Sequence, residues 1–253
     1  MPPAHGSLAN ADHVADATLA GVGGLLSDVV KSRTLEDPEY TAAVVDLLGL
    51  LAYGELQGFT RMAIDSTLAP NLRDQAQTAR MAATEFRQFE RLRDRLVGLA
   101  VDPETAMAPF VASIDAYHAS TAPSGWLEGL VKIYVGDGIA RDFYLEMSYF
   151  VDPDTAGLIR SVFADRGQAD FVVASVRQAI AAEPALAGRL ALWARRLVGE
   201  ALSQAQRVSA QRESLTSLLV AGDEGLDLQG VGELFGRLTT RHTERMATLG
   251  LAP

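Results

Sequence analysis

The chain of 253 residues has no cysteine, which removes disulfides, thiolate metal ligands and cysteine nucleophiles from consideration. Aromatic residues make up only 7% of it, and no alternating run of β-branched residues reads as a strand. No stretch approaches twenty uninterrupted apolar residues, so no membrane span is expected. The N-terminus, MPPAHGSLANADHVADATLAG, lacks the basic start and apolar core of a signal peptide, and the cytoplasm is the expected location. No glycine-rich phosphate loop, Ser-His-Asp set or zinc spacing is present. Positive charge is also short: 22 Lys and Arg face 32 Asp and Glu, a formal net charge of -10. That balance argues against a general nucleic-acid binder, whose sequence-independent affinity comes from neutralising phosphates.

What remains is helix. Ala, Leu, Val, Arg, Glu and Gln dominate, and long apolar-periodic runs are separated by turn signals. Residues 1–10 read as a disordered tail and 11–250 as a single helical domain. A short apolar helix over about 11–32 is weakened by Gly21, Gly23 and Gly24. Asp37-Pro38 opens a first long run to about Leu68, because proline suits the first turn of a helix. A second spans about 71–100, a shorter one Glu104 to about Ser120, and a third long run about 125–149. A fourth is predicted from Asp154 to Ala182, a fifth from Pro184 as far as Val220, and a last helix over about 228–248. The long runs measure about 40 Å at 1.5 Å per residue, the raw material of a large bundle.

On four of these helices an acid interrupts the apolar stripe near its middle: Glu55, Glu85, Asp137 and Asp165. Burying one unpaired carboxylate is expensive, so four on core faces require a common cause. Glu55 and Glu85 each stand about fifteen residues from Pro70, and Asp137 and Asp165 about fourteen from Asp152. Two hairpins folded at those turns would bring all four to one level. Gln88 and Gln168 follow Glu85 and Asp165 by three residues, on the same helical faces. Single acids on two helices and acid-x-x-ligand pairs on two others form the pattern of the ferritin-like di-iron carboxylate proteins, where the pairs are Glu-x-x-His. The expected fold is therefore all-α, a ferritin-like four-helix bundle with additional N- and C-terminal helices.

Over about residues 40–220, through LLAYGELQGF, MAATEFRQFERLRDRL, WLEGLVKIYVGDGIARDFY, ADRGQADF and LWARRLVGEALSQAQR, the chain resembles actinobacterial ferritin-like proteins. These are related to the hydroxylases that act on the isopentenyl group of methylthiolated isopentenyladenosine in tRNA. The resemblance implies a non-haem di-iron centre that activates O₂, with Glu55, Glu85, Asp137 and Asp165 as carboxylate ligands. Two Fe or Mn ions, a tRNA or small-molecule substrate and a redox partner are expected with it, and a homodimer is a separate expectation that the resemblance does not supply. Gln88 and Gln168 stand where that pattern has histidine. An amide oxygen is a weaker donor to iron than imidazole, and an all-oxygen set suits Mg²⁺, Mn²⁺ or Ca²⁺ better. Two alternatives accompany the oxygenase. One is a metal-free polar network in which amides donate to carboxylates and a carboxyl keeps its proton. The other is a scaffold acting by protein contact through Leu234, Phe235 and Leu238 on the last helix.

Other polar residues have plainer expected roles. Asp142 and Glu146 are expected to be solvated, and Glu200 to pair with Arg196 at i, i+4 spacing. Arg87, Arg91, Arg93 and Arg95, interleaved with Glu90 and Asp94, read as an ion-paired surface. Tyr53, Phe59, Tyr134, Phe143 and Tyr144 are expected in the core. His5, His13, His118 and His242 share no helical spacing with the acids.

Overall fold

A computed structural model describes residues 35–164, 169–220 and 226–253. The tail, the helix expected over about 11–32, and both Asp165 and Gln168 lie outside the described residues. Within them the chain is helical: α1 (Pro38–Asp65), α2 (Leu72–Gly98), α3 (Pro103–Met107), α4 (Val111–Ser120), α5 (Trp126–Val131), α6 (Gly138–Met147), α7 (Pro153–Val162), α8 (Ala169–Ala182), α9 (Ala185–Gln211), α10 (Glu213–Val220) and α11 (Leu228–Leu249). A π-turn over Lys132–Asp137 joins α5 to α6 in one continuous run.

Local chemistry sets most of the helix starts. The carboxylate of Asp37 accepts from the Glu39 amide, with Pro38 in the first turn. Asn71, Asp102, Asp152 and Asp227 cap α2, α3, α7 and α11 in the same way. Each supplies an acceptor to a first-turn amide that has no partner within its own helix. At the far end of α11, Gly250 turns left-handed with φ of 78° and closes the helix, a conformation glycine adopts without steric cost.

Two runs differ from expectation. The fourth is broken: α7 ends at Val162 and α8 begins at Ala169. The fifth breaks at Arg212, whose backbone (φ −129°, ψ 82°) leaves the helix. Its guanidinium pairs with Asp46 of α1 and lies over the Phe110 ring, while Ser214 donates to the same carboxylate. A tertiary contact overrides helix propensity there.

α1 packs along α2 at the centre of the bundle. The backbone of α1 also comes very close to α3: a Cβ on Gly49 would stand 2.1 Å from the carbonyl oxygen of Ala106. The segment Pro38–Leu68 is long and apolar enough by composition to cross a membrane, but 56% of its most apolar window is buried inside the protein. Its hydrophobicity is accounted for by core packing.

The apolar interior forms two clusters. One gathers Leu47, Leu51, Phe89, Leu92, Leu96, Met147 and Ile159. The other gathers Leu130, Val135, Val172, Val176, Leu190 and Leu197. α2 contributes Met81 to the second and Phe86 onward to the first, while the α5–α6 run contributes Val135 and Ile139 to the second and Ala140 onward to the first. Glu85 and Asp137 therefore mark the seam between the two clusters.

Candidate carboxylate site

Glu55 projects from α1 with 5% of its surface exposed. Gly54 and Gly58 flank it within one turn and keep that face of α1 open. A Cβ on Gly54 would lie 3.2 Å from the Tyr144 hydroxyl, and one on Gly58 would lie 3.1 Å from Oε2 of Glu85. The stretch Gly54-Glu55-Leu56-Gln57-Gly58 thus makes room for a phenol and a second carboxyl beside the first.

Glu55 and Glu85 are hydrogen-bonded to each other. Two carboxyls can do this only when one keeps a proton. Burial, followed by the charges of Glu85 and Asp137, raises Glu55 well above the ordinary range, so Glu55 keeps the proton and donates a hydrogen bond to Glu85. Burial also raises Glu85, and acceptance of that bond partly offsets the effect. Oε2 of Glu55 is shielded from water and receives a hydrogen bond from none of the described residues.

Asp137 is the last residue of the π-turn. Such a turn closes with i→i+5 bonds and shifts the side chains that follow, a distortion frequent at functional sites. Burial raises Asp137 well above the ordinary range, Glu85 adds to this, and Lys132 opposes it. Glu85 and Asp137 keep some accessible surface, which opens onto a chamber of about 1430 Å³ lined also by Glu55 and Tyr144.

Two phenols border the layer. Burial and the three carboxylates push Tyr144 upward, and burial and Asp137 do the same to Tyr117. The Tyr117 hydroxyl lies so close to the π-turn that a Cβ on Gly136 would be 2.6 Å from it. Tyr144 is in the core as expected, but its hydroxyl also faces the acids. The signal was its place seven residues after Asp137, two turns along one face. Tyr117 carried no such signal.

Gln88 lies beside the layer and is committed elsewhere. Its Nε2 donates to the carbonyl of Val162 at 2.8 Å. Val162 ends α7, so the amide satisfies a carbonyl that the broken helix leaves without an internal partner.

Other expected roles need correction. Asp142 and Glu146 are buried, not solvated. Arg245 pairs with Asp142 and also donates to the Gly138 carbonyl at 3.2 Å, while Arg237 and Arg241 hold Glu146 at 2.8 and 3.0 Å. All three arginines come from α11. Glu200 accepts from the Ser120 hydroxyl at 3.0 Å, and Arg196 donates to the Ser120 carbonyl at 2.8 Å, so both reach α4. Leu234 is buried, whereas Phe235 is 48% exposed and lies with Leu238 along the chamber wall. His118 is buried beside Lys132 and Arg61, and its pKa is pushed down to about 3, so it is neutral. Lys132 donates to the Thr121 carbonyl at 2.8 Å and stands over the Tyr117 ring; burial lowers its pKa to about 8.

A family model described as "Ferritin-like domain, actinomycetes" matches residues 38–222. The chain belongs to that family. No curated protein matches it.

The fold of this ferritin-like protein raises the question of a di-metal centre, and the residues present can be tested against one. Among the described residues, no group of three or more His, Asp or Glu side chains is placed to hold a metal ion. The half of the layer that is described supplies carboxylates, and the side chain three residues after Glu85 is an amide turned onto a backbone carbonyl. Iron among these ligand types is suited by imidazole. The described donors do not fit a di-iron centre.

Proposed function

We propose that this ferritin-like protein binds an apolar small molecule in the chamber, with Glu55, Glu85 and Asp137 as its polar floor. One observation carries the reading: a chamber of about 1430 Å³ ends on a proton-sharing carboxyl pair, while the side chain at the imidazole position is spent on Val162. Ligand pockets are typically apolar cavities with a few convergent polar groups, and this one has that form. Met62, Met81, Ile133 and Phe143 supply apolar wall near the acids. The exposed side chains of Leu202, Val220 and Phe235 stand where the chamber meets solvent.

A second reading keeps the chemistry implied by the resemblance: O₂-dependent hydroxylation of a modified adenosine in tRNA, in the cytoplasm, with a redox partner. The π-turn that ends on Asp137 favours it, since such turns frequently mark functional sites.

Two measurements on protein from an iron-supplemented host separate these readings. The binding reading expects an environment-sensitive apolar dye to bind with one-to-one stoichiometry, and iron and manganese to stay far below one equivalent per chain. About two equivalents of either metal, lost on Glu85→Ala, would replace it with the hydroxylase reading. Absence of dye binding would remove it.

A further inference from the structure

The floor of the chamber is more acidic than an apolar ligand alone would require. Glu55, Glu85 and Asp137 line it together, and none forms an ion pair with Arg or Lys among the described residues. Cations on the lining have other duties: Arg245 is held by Asp142, Arg241 by Glu146, and Arg160 donates to the Ala156 carbonyl. Lys132 opposes the rise at Asp137, favouring its charged form, but directs its ammonium to the Thr121 carbonyl. Glu55 is 95% buried, lines the chamber and receives a hydrogen bond at Oε2 from none of the described residues. A buried acceptor without a donor is costly, and a charged donor satisfies it better than a neutral one.

We infer that the chamber selects a lipophilic ammonium, an amine with an apolar body, whose N–H groups donate to Oε2 of Glu55 and to Asp137 while the body lies against Met62, Met81 and Ile133. This rests on the binding reading above and adds the class of ligand to it. An amine supplies positive charge and several donors at once, which three crowded carboxyl groups can share. An alcohol of the same length offers one neutral donor, and a fatty acid brings a further acidic group to a floor that already holds three.

The test is displacement of the bound dye by decylamine, decanol and decanoate below their micellar range, with EDTA present throughout. Decylamine is expected to displace the dye at roughly tenfold lower concentration than decanol or better, as a charge-assisted bond warrants, with decanoate weakest. Asp137→Asn, which removes an acidic acceptor from the floor, should abolish the preference for amine over alcohol and leave decanol unchanged. Glu55→Ala, which removes the Oε2 acceptor, provides a second variant should Asp137→Asn not fold, with the same loss expected. Exposed Glu183→Gln serves as the control and should keep the preference. Equal displacement by decylamine and decanol in the wild type would overturn the ammonium assignment and leave the binding reading intact. Retention of the amine preference in both site variants would also overturn it. Failure of all three compounds to displace the dye would remove both.

Discussion

Asp137 and the pair Asp142 and Glu146 stand on one continuous helical run, all within three turns, yet they have opposite surroundings. Asp142 and Glu146 are met by three arginines from α11. Asp137, with Glu55 and Glu85 across from it, is met by carboxyls and phenols. A buried charge normally persists because it is paired, and a lone carboxyl normally becomes neutral. The same residue type therefore does structural work on one stretch and stays available for a ligand on the other. Arg245 joins the two regions. It lies so close to Gly138, next to Asp137, that a Cβ there would come within 2.4 Å of its Nε.

The contrast is broken most severely by removing a paired acid. Asp142→Asn leaves Arg245, only 13% exposed, without its partner. It is expected to cost about 3–5 kcal/mol in chemical denaturation, the range for an orphaned buried charge. Gly138→Ala should cost about 1–3 kcal/mol, because the buried guanidinium must shift. Rescue of that loss by Arg245→Ala would sharpen the link between the two regions. Glu146→Gln falls in the same range or below, since Arg237 and Arg241 are 43% and 38% exposed and water can take over their solvation. Gln88→Ala should cost about 1 kcal/mol, one hydrogen bond to the end of α7.

Glu55→Gln should have the smallest effect at neutral pH, leaving stability nearly unchanged, because the amide can donate to Glu85 in place of the protonated carboxyl. Its signature is in pH dependence. The folded state holds Glu55 and Asp137 well above their ordinary ranges, so it binds more protons than the unfolded chain from about pH 4.5 upward. Their contribution to stability is fullest at or below that pH and is lost as pH rises toward the folded values. The difference between wild type and Glu55→Gln in thermal melts should therefore favour the wild type more at acid pH than at neutral pH. A pH-independent difference would contradict the proton assigned to Glu55.

What the sequence discloses follows from how local each cause is. Asp37, Asn71, Asp102 and Asp152 act within three residues, so the starts of α1, α2, α3 and α7 were legible. The acids at the seam were legible because they interrupt apolar stripes on three separate helices. The break at Arg212 was not, since its cause is Asp46 on a helix far away in the chain. Asp142 and Glu146 were misread as solvated for the same reason: their arginines lie about a hundred residues further on, with no periodic signal joining them. Gln88 was legible as a position in the pattern, but its bond to Val162 depends on a helix end that periodicity placed elsewhere.

The most direct test is infrared spectroscopy of the ligand-free protein at neutral pH, read at the carbonyl stretch of neutral carboxyl groups. A band that shifts in deuterated buffer and vanishes in Glu55→Gln, while remaining in Gln88→Ala, is the expected result. A spectrum showing only ionised carboxylates, the same in wild type and Glu55→Gln, would contradict a proton shared between Glu55 and Glu85.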